Sequence, residues 1–162
     1  VSAMHYIKVN IENQLLSLYS ESTLIKSYPV STSAYGIGCH EGSFQTPLGH
    51  HRVCEKIGAD KAADEVFIGR EAKGGLAELK AAGVELPEDI ITARILRLVG
   101  MEEGLNKGPS IDSFERYIYI HGTADEARIS QPVSHGCVRM KNNDIVELFE
   151  KVELNADVWI EA

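Results

Sequence analysis

From Tyr6 to Ile11 the chain alternates, with Ile7, Val9 and Ile11 on one side and Tyr6, Lys8 and Asn10 on the other. That period of two is the signature of a strand with one buried face. Glu12-Asn13-Gln14 makes a turn, Leu16 and Leu18 continue the pattern, and Thr23 to Val30 adds a third β-rich run. Further β-branched and apolar runs cover Arg52 to Ile57, Ile90 to Val99, Tyr117 to Ile120 and Asp157 to Glu161, the third of them delivering His121 at its end. Only one stretch carries a long helical stripe. After Asn142-Asn143-Asp144, which can cap a helix, Ile145, Leu148, Phe149 and Val152 fall at i, i+3, i+4 and i+7. A second, short helix is predicted over Leu76 to Ala82, stopped by Gly83. The expected fold is therefore mainly β with one helix near the C-terminus.

The chain has 162 residues, 44% of them hydrophobic, enough for one domain over 1–162 with a sizeable core. No repeat or low-complexity linker divides it. Ser31 to Gly49, rich in Ser, Gly and Thr, reads as a long ordered loop, and about 58–108 reads as a helical insertion or lid, because its first part shifts to Ala, Glu, Lys and Gly. Acidic side chains number 24 against 16 basic, a net charge of −8 with no basic cluster, which argues against a nucleic-acid or anionic-membrane partner. No apolar run approaches the roughly 20 residues that span a bilayer, so no membrane insertion is expected.

Three cysteines, Cys39, Cys54 and Cys137, are too few for a disulfide framework and contain no CxxC pair. Val1-Ser2-Ala3 reads as a vector remnant in front of a native Met4. On that reading the protein lacks a leader and works in the cytoplasm. The alternative is an exported periplasmic or cell-envelope protein whose signal peptide has been removed.

The chemistry concentrates in Ser134-His135-Gly136-Cys137-Val138-Arg139-Met140, whose cysteine follows the histidine of His121-Gly122-Thr123 by sixteen residues. A free thiol titrates near ~8.5 and needs a base or a positive charge to act as a nucleophile at neutral pH. His121 can be that base. Gly136 lets the backbone turn sharply, so the N–H groups of Gly136 and Cys137 can face a substrate carbonyl oxygen. In an extended backbone Arg139 shares a face with Cys137, where a guanidinium can bind a carboxylate or lower the thiol pKa. The residues alone point to acyl transfer through a thioester on a carboxylate-bearing substrate.

SHGCVRM preceded by IHGT resembles the signature of the YkuD-type L,D-transpeptidases, and YPVSTS, TPLG, the closing helix and the VWI strand extend that resemblance along nearly the whole chain. It implies a β-sandwich-like catalytic fold in which Cys137 attacks the diaminopimelate carbonyl of a peptidoglycan stem tetrapeptide and releases D-alanine. His121 would be the base, oriented by the carbonyl of Gly122. Ser134, His135 and Gly136 would shape the oxyanion and acyl pocket, Arg139 would hold the site or a substrate carboxylate, and carbapenems would acylate Cys137. No metal or organic cofactor is implied. The partners would be stem peptides or muropeptides.

Other readings stand beside this one. Cys39 and Cys54 read as small buried hydrophobes, although a disulfide between them is open. His5, His40, His50 and His51 read as structural, and Asp60, Asp64 and Glu65 as a solvated acidic face. His121, His135 and Cys137 are also conceivable zinc ligands, against which stand the missing fourth ligand and the charge of Arg139. Arg70 and Arg94 are candidates to line an anion pocket. If water takes the acyl group the enzyme is an L,D-carboxypeptidase that trims tetrapeptides during cytoplasmic muropeptide recycling, which is the favoured expectation. If an amine takes it, the enzyme is an exported transpeptidase that forms 3→3 cross-links or attaches proteins to peptidoglycan. A catalytically silent stem-peptide-binding domain is the third alternative.

Overall fold

The structure, a computed structural model, describes residues 4–162, so the suggested remnant at residues 1–3 lies outside the described residues. Among the described residues ten strands form one sheet: β1 (His5–Asn10), β2 (Leu15–Ser20), β3 (Thr23–Ser31), β4 (Gly49–Ile57), β5 (Glu65–Ile68), β6 (Glu71–Gly75), β7 (Ile91–Gly100), β8 (Tyr119–Thr123), β9 (Val138–Met140) and β10 (Asp157–Glu161). The helices are α1 (Leu76–Ala81) and α2 (Asn142–Lys151). The spatial order is β4-β10-β1-β2-β3-β9-β8-β7, and β7 also pairs with β4, so these eight strands close on themselves. Closure removes the exposed edges that an open sheet must otherwise protect. Two pairings are parallel, β1 with β10 and β8 with β9.

Alternation produces the core as anticipated. Ile7, Val9, Leu16, Leu18 and Val30 are fully buried and meet Ile145, Leu148 and Phe149 from α2 in one cluster. The helix packs on β7 and β8 and is tied to β3 by Glu147, which accepts hydrogen bonds from Tyr28 (2.6 Å) and Lys26 (2.8 Å). Because neighbouring strand residues face opposite ways, Leu96 and Ile120 join this core while Ile95 and Tyr119 form a smaller cluster on the other face, with Phe67. Cys137 packs against that second cluster.

Three features differ from expectation. Residues 58–108 are not one inserted body: β7 lies inside the sheet between β4 and β8, and only 58–90, with the β5–β6 hairpin and α1, stands outside the closed ring. The β8 strand begins at Tyr119 rather than Tyr117, because Tyr117 takes a left-handed backbone (φ 57°), and His121 consequently sits mid-strand. The side chains of Asn142 to Asp144 do not cap α2. Lys141 occupies the N-cap position, and the Asn142 N–H donates to Glu126 Oε2 (2.8 Å), an acceptor sixteen residues away in the chain. By contrast α1 ends as anticipated, with Gly83 at φ 74° just beyond Ala82.

Candidate active site

Strands β8 and β9 bring the two motifs together. Their parallel register places His121 opposite Arg139 and Ile120 opposite Val138, so Cys137 arrives beside Tyr119, two residues before His121 on the same face. The Cys137 sulfur accepts the Tyr119 N–H at 3.3 Å and faces the Tyr117 carbonyl at 3.4 Å. His121 is buried and donates from Nδ1 to Gly122 O at 2.5 Å, which leaves Nε2 as the basic nitrogen. Gly122 must be glycine here, since a Cβ would meet the Thr92 carbonyl oxygen at 2.5 Å.

The turn that presents the thiol is clasped from several sides. The Ser134 hydroxyl donates to Cys137 O (2.6 Å) and accepts the Gly136 N–H (3.2 Å), while Thr46 Oγ1 donates to Gly136 O (3.0 Å). Ser134 N–H bonds to Thr32 O, and Ala34 N–H bonds to Ser134 O. The YPVSTS and TPLG segments therefore scaffold the turn through Thr32 and Thr46, with Ala34, just past the first segment, adding a third bond. Gly136 has φ 123° with Gln45 O 3.2 Å from where a Cβ would stand, so a side chain is both strained and crowded there. Its N–H is taken by Ser134, however, so an oxyanion hole at this turn rests on the Cys137 N–H and not on the expected pair.

Arg139 is buried, and its Nη2 lies 2.8 Å from Asp89 Oδ1. Asp89 also faces His135 Nδ1 at 3.3 Å. Thus Arg139 orders the site through an ion pair that already uses its charge. Asp89 was not among the candidates from sequence; it precedes β7 and lies 46 residues from His135, so no local pattern marks it. Arg116 is a second residue that sequence reasoning missed. It shares the groove with Cys137, and its guanidinium donates to Gln45 O (2.7 Å) and Gly38 O (3.4 Å).

Of the two candidate pocket arginines, one is brought to the site. Arg70, in the β5–β6 turn, donates to the Tyr119 hydroxyl (3.1 Å) and lies over the Tyr117 ring. Arg94 is not. It is buried on the α2 side, bonded to Ala93 O (2.7 Å) and packed over Phe149, because the β7 irregularity between Thr92 and Ile95 turns it away. The three cysteines are free thiols, so Cys39 and Cys54 are not bridged. His5 and His50 pair with Glu153 and Asp157 (2.6 and 2.7 Å), and His51 is enclosed against Ser113. Among the described residues no group of three or more His, Cys, Asp or Glu side chains is arranged to hold a metal ion, so His121, His135 and Cys137 do not complete a zinc site.

The electrostatics differ from the expected thiolate. Burial pushes the Cys137 thiol up to about 12 and Asp89 adds to that, whereas the Tyr119 N–H, Arg139 and Arg116 pull the other way. Burial likewise lowers the His121 pKa, against the opposing pull of Gly122 O and Asp89. At rest the pair is therefore a neutral thiol and a neutral imidazole, suited to proton transfer during attack rather than to a standing ion pair. Two cavities meet at His135. One, about 340 Å³, contains Cys137, Arg116, Phe44 and Tyr117. The other, about 380 Å³, contains Asp89, Arg128 and Arg139.

The sequence model described as the YkuD L,D-transpeptidase catalytic domain matches residues 4–160. The chain belongs to the YkuD family. A 43-residue segment is 51% identical to the probable L,D-transpeptidase YbiS of Escherichia coli, covering 26% of this chain and 14% of that protein. Among solved structures, an L,D-transpeptidase from Xylanimonas cellulosilytica superposes with a TM-score of 0.60 at 16% identity, covering 99% of this chain and 62% of that one. L,D-transpeptidase 3 from Mycobacterium tuberculosis, solved with a faropenem-derived adduct, gives 0.60 at 13% identity, covering 99% and 61%. At such identities these likenesses concern the YkuD fold alone. The chain spans about three fifths of those structures.

Proposed function

We propose that this protein is a cysteine acyl-enzyme acting on peptidoglycan stem tetrapeptides, and that it works as an L,D-carboxypeptidase. The observation that carries the reading is the pairing of β8 with β9. It sets Cys137 beside Tyr119 on the face that carries His121, whose Nδ1 is held by Gly122 O. Cys137 attacks the diaminopimelate carbonyl while His121 Nε2 takes the thiol proton. The carbonyl oxygen receives negative charge near the Cys137 N–H, and collapse of the adduct expels D-alanine, which regains the proton. Ser134, Gly136 and the Arg139–Asp89 pair keep the thiol in place throughout. Water then hydrolyses the thioester and leaves a tripeptide.

Three free thiols suit a reducing compartment, which favours the cytoplasm and soluble muropeptide fragments as the working setting. A second reading has its own observation. The two cavities that meet at His135 offer room for a donor and an acceptor peptide, as an exported cross-linking transpeptidase requires.

The test is mass spectrometry of a soluble diaminopimelate tetrapeptide incubated with the protein and with Cys137→Ala and His121→Ala. Tripeptide without dimers is the expected product, and both variants should lose at least about 1,000-fold in rate. Cross-linked dimers would favour the transpeptidase. Binding without turnover would leave only a recognition domain, and full activity in Cys137→Ala would overturn the acyl-enzyme. A penem or carbapenem should add its mass to the protein and not to Cys137→Ala.

A further inference from the structure

The groove beside Cys137 has walls and an end of different chemistry. Phe44 and Tyr117 flank it, both about half exposed and both with left-handed backbones (φ 60° and 57°). For bulky side chains that conformation is strained, and such strain clusters at functional sites. Arg116, Glu41 and Glu115 line this groove and also the adjoining cavity of about 420 Å³, so they form the wall common to the two.

Charge pairing separates Arg116 from Arg139, whose guanidinium is neutralised by Asp89 at 2.8 Å. Arg70 also forms no ion pair, but its guanidinium is held on the Tyr119 hydroxyl and the Tyr117 ring. Arg116 is bonded only to the neutral carbonyls of Gly38 and Gln45, and among the described residues neither it nor Glu41 nor Glu115 takes part in an ion pair. Burial lowers the Arg116 pKa against the smaller opposing pull of Cys39, Cys137 and Glu41, as expected of a cation held partly out of water with no carboxylate in ion-pair contact. Its Nη2 is 3.7 Å from the position a Cβ on Gly136 would take, next to the nucleophile.

We infer that this groove is the side-chain subsite of the acyl donor, built for an apolar arm that ends in an amino-acid head. The arm lies between Phe44 and Tyr117, the head's carboxylate pairs with Arg116, and its ammonium faces Glu41 and Glu115. This rests on Cys137 being the nucleophile on a stem peptide. It adds that Arg116 determines which third residue is accepted: diaminopimelate carries a carboxylate on its side chain, whereas lysine, with an arm of similar kind, carries only an ammonium. A charge-assisted bond of this type is worth about 10- to 100-fold in affinity.

The experiment compares kcat/KM for three tetrapeptides with diaminopimelate, side-chain-amidated diaminopimelate or lysine at the third position. The native protein should prefer free diaminopimelate over both others by about 10- to 100-fold. In Arg116→Met that ratio should collapse to within about threefold of unity, and Arg116→Lys should restore part of it. A ratio measured within one preparation does not depend on how much of the variant is folded. Equal turnover of all three peptides by the native protein would overturn the subsite. So would an equal loss on all three in Arg116→Met, which would make Arg116 a clasp for Gly38 and Gln45 or an anchor for the terminal carboxylate. No turnover of any peptide by the native protein would overturn both the subsite and the acyl-enzyme reading, whereas turnover without discrimination overturns only the subsite.

Discussion

At Cys137, the proposed nucleophile, two requirements compete: a nucleophile benefits from ionisation, yet its turn packs it against Tyr119, Phe67 and Ile95. Burial dominates and the thiol stays protonated, so in the proposed mechanism activation comes from His121 during attack. Alkylation of Cys137 by iodoacetamide should therefore be slow at pH 7 and keep rising through the alkaline range. Rates followed by intact mass across pH 5–10 provide the check, and an inflection below pH 7 would instead indicate a preformed thiolate. That Cys137, His121 and Arg139 belong to one cluster was legible in the sequence because the double motif is local. Asp89 and Arg116 were not legible, since their relation to the thiol exists only across strand pairings.

Among the elements, α2 shows most clearly how packing supports the site from behind. It buries Ile145, Leu148 and Phe149 against β7 and β8, the second of which carries His121 on its other face. Leu148→Ala should cost about 2–5 kcal/mol, read as a lower melting temperature or denaturant midpoint. The helix's first turn depends on Glu126, which accepts the Asn142 N–H. Glu126→Ala should cost about 1 kcal/mol, and a neutral result in denaturant titration would show that the exposed N–H is satisfied equally well by water. The helix stripe was readable from its period of 3.6, as the β1 and β2 alternation was from its period of two. The short strands β5, β6 and β9 lack enough residues to display either period.

For the whole molecule, closure of the sheet through β4 and β7 puts His51 wholly out of water, bonded to Ser113 Oγ (2.8 Å) and Gly49 O (3.1 Å). Burial lowers its pKa from 6.5 to about 4. A depressed histidine is neutral in the folded state while the unfolded chain binds a proton below pH 6.5. Stability is therefore full above that pH and declines as the pH falls towards 4, by up to about 3 kcal/mol for this one group. Buried His121 acts in the same direction. Thermal melts from pH 7 to 4 should fall steadily, and His51→Gln should flatten the slope. An unchanged slope in that variant would remove His51 from the account.

Sequence alone determined the elements with enough length to show a period, and the motif whose residues act through their immediate neighbours: the strands around Ile7, Leu18 and Ile160, the α2 stripe, and Cys137 with His121. Tertiary structure decided what depends on strand order. Closure between β4 and β7, the diversion of Arg94 to Phe149, the Arg139–Asp89 pair and the placement of Arg116 beside the thiol all join residues far apart in the chain. The physical reason is that periodicity records which way a side chain faces, whereas its partner is chosen by register between strands, and burial of the assembled whole then sets the charge on His51, His121 and Cys137.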